Sequence, residues 1–207
     1  MSFFEYFRKK PSPQQVRNQA VDNELDSLRA FYPVEEREDF NSAEDYPKVT
    51  DLTSAGLGAY SMNIHVSTDA CARVKQLIAD LGLTDALSSG DFHTYRNGAE
   101  AVSLQSAALG KGISLLLITN SSRLLHALTD VSPPAPWLAF PTVDASVLGS
   151  LQGELEHWWQ SYWWPYWQSL THEQRKNWLL NPDYPEAWRE YIQLQEAFAT
   201  DDRESSI

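Results

Sequence analysis

Between Trp158 and Trp167, seven of ten residues are tryptophan or tyrosine: Trp158, Trp159, Tyr162, Trp163, Trp164, Tyr166 and Trp167. Burying a large apolar side chain stabilises a fold by roughly 2–3 kcal/mol, and leaving several exposed invites association. The segment is therefore either the heart of a packing layer or a docking surface. Read as one helix from Asp144, the residues Val147, Leu148, Leu151, Leu155, Trp158, Trp159, Tyr162 and Trp163 form a broad apolar face. Trp164 and Trp167 fall off that stripe. Pro165 has no backbone N–H and biases Trp164 toward extended backbone, so the helix is expected to break or kink there. Trp158, Trp159, Tyr162 and Trp163 are thus the expected core, and Trp164, Tyr166 and Trp167 the expected contact surface.

Helical signals continue to the end of the chain. Thr171 and Gln174 stand at capping-box spacing ahead of a helix that carries Trp178 and stops at Pro182. Pro185 suits the first turn of a last helix bearing Trp188, Tyr191 and Ile192.

Upstream, strand and helix patterns alternate. Tyr60, Met62, Ile64 and Val66 interleave with Ser61, Asn63, His65 and Ser67, the pattern of a half-buried strand. Thr68 is placed to cap a helix with Val74, Leu77, Ile78 and Leu81 on one side, ended by Gly82. Phe92 to Arg96 reads as a strand, Gly98 to Leu109 as a small-residue helix, and Ile113 to Thr119 as a central strand. Asn120 or Ser121 caps a short helix, and Trp137 to Phe140 is a fourth strand candidate. This alternation predicts an α/β fold: a single layered domain with a small mixed or partly parallel sheet and a C-terminal Trp-rich helical layer. Residues 54–207 form its core, preceded by an N-terminal region, 1–53, of aromatic-basic tip, helix (Gln14 to Phe31) and acidic loop.

Charge is the second constraint. The net charge of -12 opposes direct contact with nucleic acid, which needs cations to replace phosphate counterions. From Val21 to Asp51 ten acidic residues face three basic ones, more than half of the whole imbalance. Glu35, Glu36, Glu38, Asp39, Glu44 and Asp45 crowd the stretch bracketed by Pro33 and Pro47, and are the candidate electrostatic landing site for a basic partner. The single cysteine, Cys71, allows no internal disulfide, and no apolar run approaches the ~20 residues of a membrane span. A cytoplasmic protein is expected.

Catalytic patterns are thin. The five histidines show no metal-ligand spacing: His172-Glu173 is followed by Lys176 and Asn177 where a zinc helix needs a second histidine. Gly56-Leu57-Gly58 and Gly110-Lys111-Gly112 each precede a strand, whereas phosphate loops open a helix. No cofactor is implied. The reading that follows is a non-enzymatic acidic binding protein: an inhibitor or adaptor, resembling an immunity protein or a nucleic-acid mimic in kind, that docks a basic protein such as a toxin or nucleic-acid-binding enzyme. Two alternatives stand beside it: a small hydrolase-like enzyme with a site near His65, His93 and Ser121, and a small-molecule receptor with an aromatic pocket.

Overall fold

The computed structural model describes residues 27–36, 39–41, 46–89 and 91–204. The N-terminal tip, most of the helix expected from Gln14, and Glu38, Glu44 and Asp45 lie outside these residues. The centre is a six-stranded sheet made of β1 (Val49–Asp51), β2 (Tyr60–Ser67), β3 (Asp85–Ser89), β4 (Phe92–Asn97), β5 (Glu100–Leu109) and β6 (Gly112–Thr119). Its spatial order is β1-β2-β6-β5-β4-β3, and every neighbouring pair runs antiparallel.

That arrangement corrects the mixed or partly parallel sheet expected from the sequence. Two-residue hairpins are the cause. Asn97 pairs with Glu100 across Gly98-Ala99, and Leu109 pairs with Gly112 across Gly110-Lys111. Each turn has glycine at its first central position with positive φ (61° and 55°), the backbone that two-residue hairpins demand. A hairpin that short can only join antiparallel strands. Its closure also makes Glu100–Leu109 a strand where serines and alanines suggested a helix. Trp137 departs in the other direction: Pro136–Ala139 is one helical turn with Pro136 at its start, not a fourth strand.

Helix α1 (Thr68–Asp80) carries the chain from β2 across the sheet to β3, and α2 (Ser122–Ala127) follows β6. Ser67, one residue before the expected Thr68, caps α1 by accepting from Ala70 N–H. Ser121 caps α2 in the same way. Register sets the faces: Met62 lies opposite Leu117, which lies opposite Leu104. These residues, with Ile64, Val66, Val102 and Leu115, bury one face against Val74 and Ile78 of α1 and Leu124 and Leu125 of α2.

The opposite face has two covers. One is the segment around Leu28 and Tyr32, which packs on Phe92, Ala101 and Ile118. The other is the Trp-rich layer: α3 (Pro136–Ala139), α4 (Gly153–Trp158), a π-helical turn over Trp159–Trp163, α5 (Trp164–Ser169), α6 (His172–Leu179) and α7 (Glu186–Glu204). The helix begins at Gly153, not near Asp144. Gly149, Ser150 and a positive-φ Gly153 interrupt the chain, leaving Val147 80 % exposed. No described helix is long and apolar enough to cross a membrane.

Candidate functional site

Pro165 does not break the Trp-rich helix. Trp164 keeps helical angles (φ -66°, ψ -43°), and its N–H reaches back five residues to the Trp159 carbonyl. A regular α-turn would drive the proline ring into the carbonyl four residues earlier; the widened π-turn gives it room. The same widening places rings five residues apart in line. Trp158 stacks on Trp163 at 5.9 Å and 18°, and Trp159 on Trp164 at 6.0 Å and 16°. Trp163 then stacks on Trp167 at 6.0 Å and 23°.

Those stacks sort the rings. Trp158, Trp159, Tyr162 and Trp163 are buried, as their spacing predicts. Trp167 is buried completely, which corrects its expected place on the surface. Its expected position assumed regular α-helical spacing throughout, whereas the extra residue of the π-turn rotates Trp167 inward. Its indole N–H donates to Glu196 Oε1 at 3.0 Å, and Arg175 Nη1 donates to the same oxygen at 3.2 Å. Trp164 and Tyr166 remain half-buried and keep part of their surface open.

Tyr166 is where the acidic stretch meets the aromatic layer. Its ring contacts Tyr46 edge-on at 5.6 Å and Trp163 at 5.8 Å. Burial raises its phenol pKa, offset in part by a hydrogen bond with Ser132. Tyr46 is buried, and its phenol pKa is driven up by desolvation first and by the nearby Tyr162 and Tyr166 second. The other end of the acidic stretch is fixed separately. Phe40 N–H donates to the Tyr60 hydroxyl at 2.9 Å, and the Phe40 ring lies on His126 at 4.8 Å. Upstream, Gly58 N–H donates to the Tyr32 carbonyl at 2.9 Å, and a β-carbon on Gly58 would collide with the Pro33 backbone. Between these anchors Glu35 and Asp39 are exposed, and Glu36 closes the 3-10 turn Val34–Glu36.

The residues of the hydrolase-like alternative are not brought together. His65 and His93 occupy opposite faces of the sheet: His93 is in register with Leu104 on the α1 side, and His65 points into the Trp-rich layer. Ser121 lies past the far end of β6, seven residues beyond Ser114, the partner of His65. Ser121 caps α2 and donates to Glu100 Oε2 at 3.2 Å.

His65 itself is fully buried and fully satisfied. Trp158 Nε1–H donates to its Nδ1 at 2.8 Å, so the ring proton is on Nε2, which donates to the Leu109 carbonyl at 3.0 Å. Desolvation lowers its pKa, and the bond to Leu109 opposes that shift. Gly112 leaves the space the ring fills, since a β-carbon there would strike it. Beside it Tyr162 donates to Asn63 Oδ1 at 3.1 Å and shares a 2.6 Å bond with Ser114. This polar row ties sheet to layer.

Two clefts, of about 430 Å³ beside α1 and α2 and about 540 Å³ at the β3 edge, have no tryptophan or tyrosine in their walls. They lend nothing to an aromatic pocket. No protein-family model, curated protein or solved structure matches the chain.

Proposed function

We infer that the protein is a non-enzymatic acidic binding protein, an inhibitor or adaptor that docks a basic protein. One observation carries the reading: the acidic stretch is anchored to the aromatic layer through the Tyr46–Tyr166 contact. Tyr46, which follows Glu44 and Asp45 in sequence, thus joins that stretch to the partly open ring of Tyr166. Glu35 and Asp39, with Glu36, Glu38, Glu44 and Asp45 of the same stretch, would raise the encounter rate with a cationic partner. Trp164 and Tyr166 would supply the lasting contact, since large half-buried rings are the residues that dominate interface energies. Trp167 acts beneath them as a support.

The test separates the two roles. Partners are captured from native cell lysate with the wild-type chain, Glu35→Gln/Asp39→Asn and Trp164→Ala, and their association and dissociation rates are measured at low and moderate salt. The carboxylate variant is expected to lower the association rate several-fold and flatten its salt dependence. Trp164→Ala is expected to raise the dissociation rate at least tenfold, equivalent to about 1.4 kcal/mol or more. Association rates that ignore salt would remove the electrostatic part of the reading.

A further inference from the structure

The two edges of the sheet are built differently. β1 is three residues long, follows Pro47-Lys48 and ends at Asp51; shortness, proline and charge are the usual defences of an exposed edge. β3 has five residues, Asp-Ala-Leu-Ser-Ser, with no lysine, no proline and one carboxylate at its start. Among the described residues it pairs with β4 alone and is the last strand in the order. Leu87, its middle residue, is 49 % exposed although it lies opposite the fully buried Thr94. The cleft of about 540 Å³ lined by Asp85, Ala86, Leu87, Arg96 and Gly98 runs along this edge.

We propose that β3 pairs with the β3 of a second copy of the chain, antiparallel and centred on Leu87, joining two six-stranded sheets into one. The strand is complementary to itself about that point. Leu87 faces the partner's Leu87, so two exposed apolar side chains cover each other. Asp85 falls opposite the partner's Ser89, four residues from the partner's Asp85, and no like charges meet. A parallel or shifted pairing would lose the leucine pair. Five paired residues bury far less than the ~1,000 Å² of a stable interface, so this is a weak, concentration-dependent dimer. Each copy carries -12, and long-range repulsion opposes the pairing until salt screens it. Self-pairing thus strengthens with salt, opposite to the docking of a basic partner, and it stands or falls independently of that function.

Cysteine cross-linking reads the register directly, because Cys71 is buried and is the only native cysteine. Directly opposed residues have Cα atoms about 4.5–5.5 Å apart, within the roughly 4.4–6.8 Å that a disulfide spans. Position 85 would lie roughly 14 Å from its own copy, well out of reach. Under mild copper-catalysed oxidation Leu87→Cys is expected to yield disulfide-linked dimers and Asp85→Cys to remain monomeric. Equal cross-linking of both, or of neither, would overturn the proposal. Sedimentation of the wild-type chain is expected to show mass rising with concentration and with salt, and Leu87→Lys to weaken dimerisation at least tenfold with an unchanged far-UV spectrum. A wild-type chain that stays monomeric at about 1 mM and 0.3 M salt would refute it equally.

Discussion

At His65 a neutral imidazole accepts the Trp158 indole N–H and gives its own proton to Leu109, so each ring nitrogen has one fixed task. Protonating Nδ1 would set two donors against each other inside the protein. Burial accordingly holds the folded pKa below the ordinary 6.5, and in acid the unfolded chain binds this proton first. The contribution of His65 to stability is complete above about pH 6.5 and is lost as the pH falls from there through the folded value. Urea unfolding at pH 7.5 and 5.5 is expected to show a wild-type loss that His65→Gln largely abolishes, with the variant already weaker at pH 7.5. An unchanged pH dependence in the variant would show that other groups carry it. The sequence placed His65 on the polar side of β2 correctly. That this side is roofed by Trp158, 93 residues away, was invisible in it.

Among the elements, the π-turn does most to position the aromatic layer. It puts one extra residue into the helix, and Gln160 within it is exposed. Removing Gln160 would restore an α-turn and rotate everything downstream by about 100°, carrying Trp163 and Trp167 off the core. Deletion of Gln160 is expected to cost more than about 4 kcal/mol, or to unfold the layer outright, whereas Gln160→Ala should stay within about 0.5 kcal/mol. Intrinsic tryptophan fluorescence during urea titration measures both. The local rules that read well from sequence were caps: Ser121 at α2 and the Thr171–Gln174 box at α6 are both formed. The rule passed over was Gly98-Ala99, a glycine-first hairpin turn, whose neglect turned β5 into a helix and the sheet partly parallel.

On the scale of the whole molecule, a row of buried hydroxyls fastens the N-terminal segment to the sheet. Tyr32 donates to the Ile118 carbonyl at 2.7 Å, so it accepts from Ser103 at 2.8 Å, which in turn accepts from Thr94 at 2.7 Å. Tyr32→Phe would leave the carbonyl without its donor and Ser103 without its acceptor, in a site closed to water. A loss of about 1–3 kcal/mol is expected in urea or thermal unfolding, far above the cost of the same change at a surface. A cost near zero would mean that water replaces the phenol. Because the same segment leads into Glu35 and Asp39, loosening it should also blunt the salt dependence of partner association. The charge and the aromatic surplus of the chain point to such a partner. The contact of Tyr46 with Tyr166 required the folded chain.

The sequence alone determined the starts of α2 and α6, that β2 and β6 are strands, that Trp158, Trp159, Tyr162 and Trp163 lie inside, and where the negative charge is concentrated. Each follows from interactions spanning a few residues, or from composition. Tertiary structure decided the burial of Trp167, the company of His65 and the meeting of Tyr46 with Tyr166. These depend on which distant surfaces meet, and a preference summed along the chain holds no information about contacts 70 to 100 residues apart.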